Sequence, residues 1–121
     1  VARYTVPSLT ASGPIVILFF GSVVVAPVAE EILYRGVFFG IVLERGHGPV
    51  VAGGTSLLVF AGAHVFTAGV GGVVNGFLLG LLLTILRLRF DNLLGAWVMH
   101  MCNNLIEFLV AVSVLPSLYA L

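Results

Sequence analysis

Residues 46–86 read GHGPVVAGGTSLLVFAGAHVFTAGVGGVVNGFLLGLLLTIL, and this stretch contains no Asp, Glu, Lys or Arg. It is long enough for two bilayer crossings of about 20 residues each. Only 8% of the 121 residues are charged and 60% are hydrophobic, whereas soluble domains carry about 25% charged residues. Because so few charges could not cover a soluble fold, the sequence predicts an integral membrane protein.

Glycine, proline and charged residues divide the chain into four apolar segments. The predicted helices run from about Gly13 to Glu44, Pro49 to Phe66, Gly72 to Leu88 and Leu93 to Val114. The first exceeds a hydrocarbon core of about 30 Å, and Pro27 is its expected kink. Long, continuously apolar segments do not fit the alternating strands of a membrane barrel. We therefore expect an all-α bundle of about four transmembrane helices.

The domain organisation follows from these segments. Residues 1–12 are mixed in composition and are read as a lead-in, while residues 13–121 are expected to form one core. The first residue is Val rather than Met. We therefore expect the chain to be a fragment of a longer membrane protein.

Glycines recur at four-residue spacing in two of the helices. Helix three carries Gly72, Gly76 and Gly80, and Gly36 and Gly40 repeat this spacing late in helix one. Ridges of small residues let membrane helices approach closely. The pattern predicts tight packing at both places rather than a ligand site.

The charges indicate orientation and exclude one class of partner. The turns after helices one and three hold Arg45, Arg87 and Arg89, while the opposite side offers only Arg3. The positive-inside rule places the arginine-bearing turns in the cytoplasm. A formal net charge of zero argues against a nucleic-acid partner and leaves the lipid bilayer as the expected surroundings. Cys102 is the single cysteine, so there is no intrachain disulfide.

Helix one carries two adjacent acids at membrane depth, where ionisable residues usually serve a site or a pair. Glu31 and Arg35 are four residues apart and share a helix face. We expect them to form an ion pair. Glu30 points about 100° away from Glu31 on a helix and is left without an arginine. It is therefore the candidate general base, the alternative being a wholly structural Glu-Arg cluster.

Helices two and four carry polar residues that could complete such a site. His64 lies late in helix two among apolar and small residues. On helix four, His100 and Asn104 are four residues apart and face the same way. Both can donate hydrogen bonds, as an oxyanion site requires. The plainer interpretation is packing for His64 and interhelical hydrogen bonding for the other two. Counting residues from the helix ends places Glu30 and these three at compatible depths, so we expect one cavity open to the cytoplasm.

Five further polar residues are given lesser roles. Cys102 and Asn103 are read as packing, and Asn75 as a packing hydrogen bond in helix three. Glu107 follows Asn104 by three residues and is expected to support it, while His47 lies in a glycine-rich turn that meets solvent.

Three motifs in order resemble a known family. They are Glu-Glu-x-x-x-Arg at Glu30–Arg35, Phe-x-x-x-His at Phe60–His64 and His-x-x-x-Asn at His100–Asn104. Their placement on successive hydrophobic segments resembles the CAAX protease and bacteriocin-processing family of intramembrane endopeptidases. That family includes type II CAAX prenyl endopeptidases and abortive-infection proteins. The resemblance spans residues 30–104, with no departure at a motif position, and implies that Glu31 and Arg35 support the site.

The same resemblance implies roles for four other motif residues. Glu30 and His64 would activate the attacking water. His100 and Asn104 would hold the tetrahedral oxyanion. The substrate would be a membrane-associated peptide, which is a prenylated CAAX sequence in the eukaryotic members. No cofactor is favoured.

Alternatives remain open at this point. A zinc-dependent metallopeptidase could use Glu30, His64 and His100 as ligands, with water in the fourth position. The His-Glu-x-x-His signature is absent, so the glutamate mechanism is favoured. A non-catalytic immunity or partner protein would explain the hydrophobicity but not the full polar set. An ion carrier would spread its acids across the bilayer, whereas these acids cluster.

Overall fold

A computed structural model of the chain describes residues 12–112, which contain four helices and no strand. The first helix, α1, continues through Ser12–Phe19, Phe20–Val25, Ala26–Glu30, Glu31–Phe38 and Phe39–Glu44; the others are α2 (Pro49–Ala63), α3 (Val65–Phe90) and α4 (Leu94–Ala111). The predicted all-α bundle is confirmed. Residues 1–11 of the predicted lead-in, and the predicted end of helix four at Val114, lie outside the described residues.

Three helices can cross a membrane by length and composition. They are Gly13–Glu44, Val65–Phe90 and Leu94–Ala111, whereas α2 is apolar but has only 15 residues. Large apolar side chains such as Ile17 are exposed on the outside of the bundle. Such a surface suits lipid rather than water, and the chain is an integral membrane protein.

Helix α1 departs from regular α-helical geometry on both sides of Pro27. The segments Phe20–Val25 and Glu31–Phe38 are π-helical, and Ala26–Glu30 between them is α-helical. Proline has no N–H to donate to the preceding turn, and single π turns commonly mark functional positions in helices. In place of one kink predicted at Pro27, the helix therefore has π-helical segments on both sides of this proline, and the second carries Glu31 and Arg35.

The boundary between α2 and α3 lies earlier than the sequence predicted. Helix α2 ends at Ala63, His64 occupies the junction, and α3 begins at Val65. The expected end of helix two at Phe66 is therefore wrong. The expected turn over residues 69–72 is partly confirmed, because Gly69 has non-helical angles, φ +64° and ψ −154°, and breaks α3 near its start. Glycine adopts a positive φ without the steric penalty of other residues, so it marks a break within one helix.

The predicted glycine ridge of α3 is confirmed, because Gly72, Gly76 and Gly80 are all buried. A Cβ atom on Gly80 would lie only 2.8 Å from the Leu57 side chain of α2. The ridge predicted on α1 fails at Gly40, where an added Cβ would meet nothing within 4 Å. Close approach therefore occurs between α2 and α3 but not at the end of α1.

A small apolar core joins the helices. Phe60 of α2, Leu79 and Leu83 of α3, and Ala96 of α4 are buried together, and Tyr34 of α1 packs against them. The phenyl rings of Tyr34 and Phe60 meet edge to face, with centroids 5.3 Å apart. Because this core draws one residue or more from each helix, it fixes the positions of the polar motif residues beside it.

Candidate active site

The predicted ion pair on α1 is present and buried. Arg35 Nη1 lies 3.2 Å from Glu31 Oε1, and each side chain is 1% exposed. Arg35 also donates through Nη2 to the carbonyl oxygen of Gly80 at 3.3 Å, and its guanidinium lies 4.2 Å from the ring centroid of Phe60. The ion pair, a backbone bond and a ring contact therefore hold this arginine inside the bundle.

His100 of α4 connects the two adjacent glutamates of α1. Its Nδ1 lies 2.6 Å from Glu31 Oε1, and its Nε2 lies 3.4 Å from Glu30 Oε2. A carboxylate can only accept, so Nδ1 carries the proton in the bond to Glu31. His100 is 2% exposed and Glu30 is 33% exposed. Glu30, Glu31, Arg35 and His100 form one contiguous group, which we call the Glu-His-Arg network.

His64 lies close to this network but makes no hydrogen bond to it within residues 12–112. Its Nδ1 lies 2.7 Å from the carbonyl oxygen of Phe60. The Phe60 ring separates the two histidines, with centroids 4.6 Å from His64 and 5.7 Å from His100. Because a carbonyl only accepts, Nδ1 is the donor, and Nε2 of the neutral ring is left as the basic nitrogen.

Asn104 is fixed by a second group of hydrogen bonds. Its Nδ2 donates to the carbonyl oxygen of Ser22 on α1 at 2.9 Å, and its Oδ1 accepts from Asn103 Nδ2 at 3.3 Å. Asn103 and Asn75 each donate to Glu107 Oε1 at 3.1 Å. Glu107 thus reaches Asn104 through Asn103, and the interpretation of Asn103 as simple packing is wrong.

Two grooves border these groups. One of about 330 Å³ lies between α1 and α4 and is lined by Val28, Glu31, Ile32, Leu93, Leu94 and Trp97. Glu31 is the predicted site residue that lines this groove. A second groove of about 280 Å³ between α3 and α4 includes Cys102 and Asn103. Cys102 is exposed rather than packed, and His47 is exposed as predicted.

The alternative zinc ligand set is not assembled in the described part of the chain. Glu30 and His100 are neighbours, but the Phe60 ring lies between His100 and His64. Within residues 12–112 no three His, Cys, Asp or Glu side chains are grouped so as to hold a metal ion. The residues as placed do not form a zinc site, and zinc stays the alternative to the favoured glutamate mechanism.

The partners that the sequence did not predict are mostly backbone carbonyls. Arg35 bonds to the carbonyl of Gly80, Asn104 to that of Ser22, and Arg87 to that of Arg35 itself. Every residue has a carbonyl, so no residue type signals which one a distant side chain will reach. Such contacts depend on how the helices are rotated about their axes.

Comparison with known proteins gives one family. No curated protein matches the chain, and no solved structure matches it. The family described as type II CAAX prenyl endopeptidase Rce1-like matches residues 12–106. This range covers most of the chain and contains all three motifs, together with the Glu-His-Arg network and Asn104. The chain therefore belongs to the type II CAAX prenyl endopeptidase Rce1-like family of intramembrane endopeptidases.

Proposed function

We propose that residues 13–121 form the catalytic core of an endopeptidase that hydrolyses a peptide bond at a membrane, using water activated by Glu30 and His64. The observation that carries this proposal is the Glu-His-Arg network, which joins α1 to α4 inside a membrane-spanning bundle. Each charge at membrane depth costs about 2.5–3.5 kcal/mol on insertion scales. A cluster of this kind is typical of a functional site.

Glu30 is the proposed general base because it is the one member of the Glu-His-Arg network whose side chain is substantially exposed. It is one-third exposed, while Glu31, Arg35 and His100 are buried. His64, at the junction of α2 and α3, keeps Nε2 as its basic nitrogen and is proposed to orient the same water. A positioned general base contributes about 10²–10⁴-fold to rate. In the proposed step, Glu30 takes one proton from water and the resulting hydroxide adds to the scissile carbonyl carbon. The tetrahedral intermediate then collapses with cleavage of the C–N bond, and Glu30 returns the proton to the leaving amine.

His100 and Asn104 are proposed to hold the oxyanion that forms. Nδ1 of His100 donates to Glu31 and Nε2 faces Glu30, so the proposed donation from Nε2 to a substrate oxygen uses the imidazolium, which carries a proton on both nitrogens. Asn104 donates one amide hydrogen to Ser22 and keeps the second. Donors held in place before the reaction stabilise developing charge without reorganising, which supports this assignment.

Glu31 and Arg35 are proposed to support His100 rather than to touch substrate. A carboxylate that accepts from one ring nitrogen fixes the tautomer and orientation of an imidazole. Glu31 is in this position, and Arg35 neutralises it. Both are buried, which suits a structural support better than direct contact with a peptide.

The proposed substrate is a prenylated CAAX-type peptide or another membrane-associated peptide. We propose further that the turns holding Arg45, Arg87 and Arg89 face the cytoplasm, so that cleavage takes place from that side. No cofactor is included in the proposal.

The proposal is tested by peptide cleavage in liposomes containing the purified protein. Prenylated and unprenylated peptides of one sequence are incubated with the liposomes, and the products are identified by mass spectrometry. We expect cleavage that survives a zinc chelator. Loss of activity with chelator and recovery on adding zinc would overturn the glutamate mechanism and favour a metallopeptidase. Folded protein that cleaves no peptide in either set would contradict the proposal.

A further inference from the structure

Arg87, in the last turn of α3, makes three contacts that none of the motifs explains. Its Nε donates to the carbonyl oxygen of Arg35 at 3.2 Å. Its Nη1 pairs with Asp91 Oδ1 at 2.8 Å, and its guanidinium lies 4.5 Å from the ring centroid of Phe39. Its side chain is only 16% exposed. These contacts tie the end of α3 to the π-helical segment of α1.

The Arg35 carbonyl that Arg87 reaches lies near the end of the π-helical segment. Where Glu31–Phe38 ends, the N–H of Phe39 donates to the carbonyls of Tyr34 and Gly36 and passes over that of Arg35. A regular α-helix would direct this N–H to Arg35. A buried carbonyl without a donor is costly. The Nε of Arg87 donates to this carbonyl where the N–H of Phe39 does not.

We propose that Arg87 is a positioning residue for the catalytic network, an inference that rests on the proposed function. Arg87 fixes the backbone of Arg35, whose side chain pairs with Glu31, which in turn holds Nδ1 of His100. The two ends of Arg35 are thus anchored separately, the carbonyl by α3 and the guanidinium by Glu31. Loss of the outer anchor lets the π segment shift, and the imidazole of His100 shifts with it.

The guanidinium group suits this task better than any other side chain. It presents several donors in a planar fork, so it can serve a carbonyl and a carboxylate while lying against a ring. Lysine carries a single ammonium on a flexible stem and cannot reproduce this arrangement. Arg87→Lys is therefore expected to behave more like Arg87→Gln than like the unchanged protein.

Arg89 provides a matched control in the same helical turn. It is exposed, and its guanidinium lies 5.4 Å from the ring centroid of the neighbouring Phe90. We would compare Arg87→Gln, Arg87→Lys and Arg89→Gln by kcat and KM in liposomes. Displacing a catalytic group by about 1 Å can cost about 10²-fold in rate. We expect a kcat loss approaching that size for both Arg87 variants with KM little changed, and no change for Arg89→Gln.

A second readout separates this inference from the proposed function. The ring nitrogens of His100, labelled with ¹⁵N, are observed by NMR in the reconstituted protein beside those of His47 and His64. Arg87→Gln should move the His100 resonances and leave those of His47 unchanged, whether or not any peptide is cleaved. If the unchanged protein cleaves no peptide, this result contradicts the proposed function but not the positioning role of Arg87. Unmoved His100 resonances in a folded Arg87→Gln variant overturn the inference.

Asp91→Asn keeps the test decisive if Arg87→Gln does not fold. It removes the carboxylate that holds Nη1 while leaving the bond from Nε to Arg35. Asp91 has φ +51°, a conformation that asparagine tolerates. We expect a smaller shift of the His100 resonances in the same direction and a smaller loss of kcat. His100 resonances and kcat that both stay unchanged in this variant count against the inference.

Discussion

Replacing Arg35 with alanine should destabilise the fold strongly, because this side chain is a buried partner of three different groups. It pairs with Glu31, bonds to the Gly80 carbonyl and lies over Phe60. Alanine removes all three contacts. Glu31 then stays buried at 1% exposure with His100 as its remaining partner in the network.

The magnitude follows from leaving a buried charge without its ion-pair partner. Breaking such a pair by removing one member costs about 3–5 kcal/mol, and the ring contact of Arg35 is contained within this figure rather than added to it. Glu30→Gln provides the comparison, since Glu30 is one-third exposed and its contact with His100 is longer. A partly exposed ion contact contributes about 0–1 kcal/mol. We therefore expect Arg35→Ala to lower the free energy of unfolding by several times more than Glu30→Gln.

The assay is unfolding in mixed detergent micelles with increasing dodecyl sulfate, followed by far-ultraviolet circular dichroism. A double variant, Glu31→Gln with Arg35→Ala, adds an internal control because it removes both charges. It should be more stable than Arg35→Ala alone, since no buried carboxylate is then left without its arginine. Equal unfolding free energies for Arg35→Ala and Glu30→Gln would contradict a stabilising role for the buried Glu31–Arg35 pair.

Two further predictions concern packing and the oxyanion site. Gly80→Ala should lower the free energy of unfolding by about 1–3 kcal/mol, because the new Cβ would lie 2.8 Å from the Leu57 side chain. Gly54→Ala is the control and should not lower it, because a Cβ there meets nothing within 4 Å. Similar losses of stability in both variants would contradict close packing at Gly80. Asn104→Ala should lower kcat by about 10²–10³-fold. Asn103→Ala removes a hydrogen bond to Oδ1 of Asn104 and leaves the Asn104 amide hydrogens in place, so it should lower kcat less. The reverse order in the cleavage assay would exclude Asn104 as the donor.

The helices could be predicted from the sequence because length and apolar composition decide them. The Glu31–Arg35 pair was predictable for a similar reason, since a spacing of four on a helix brings two side chains together whatever surrounds them. The junction at His64 was not. Apolar residues continue across it without a proline, and the glycines beyond it resemble a turn.

The arrangement of the candidate site could be predicted only in outline. Motif spacing placed Glu30, His100 and Asn104 at compatible depths, but helices that are apolar on all sides do not reveal how they are rotated about their axes. That rotation decides that His100 bridges both glutamates and that Asn104 bonds to Ser22. The π-helical segment Glu31–Phe38 of α1 could not be predicted either. It shifts the register of the helix, and no residue type is a signal for it.

The assignment of Glu30 as the general base is tested by the turnover number of Glu30→Gln in liposomes, with a peptide that the unchanged protein cleaves. The exchange keeps the shape of the side chain and removes its ability to take a proton. A general base contributes about 10²–10⁴-fold, so we predict a loss of at least that order in a variant whose unfolding free energy stays close to that of the unchanged protein. Turnover equal to that of the unchanged protein would contradict the assignment of Glu30 as the base.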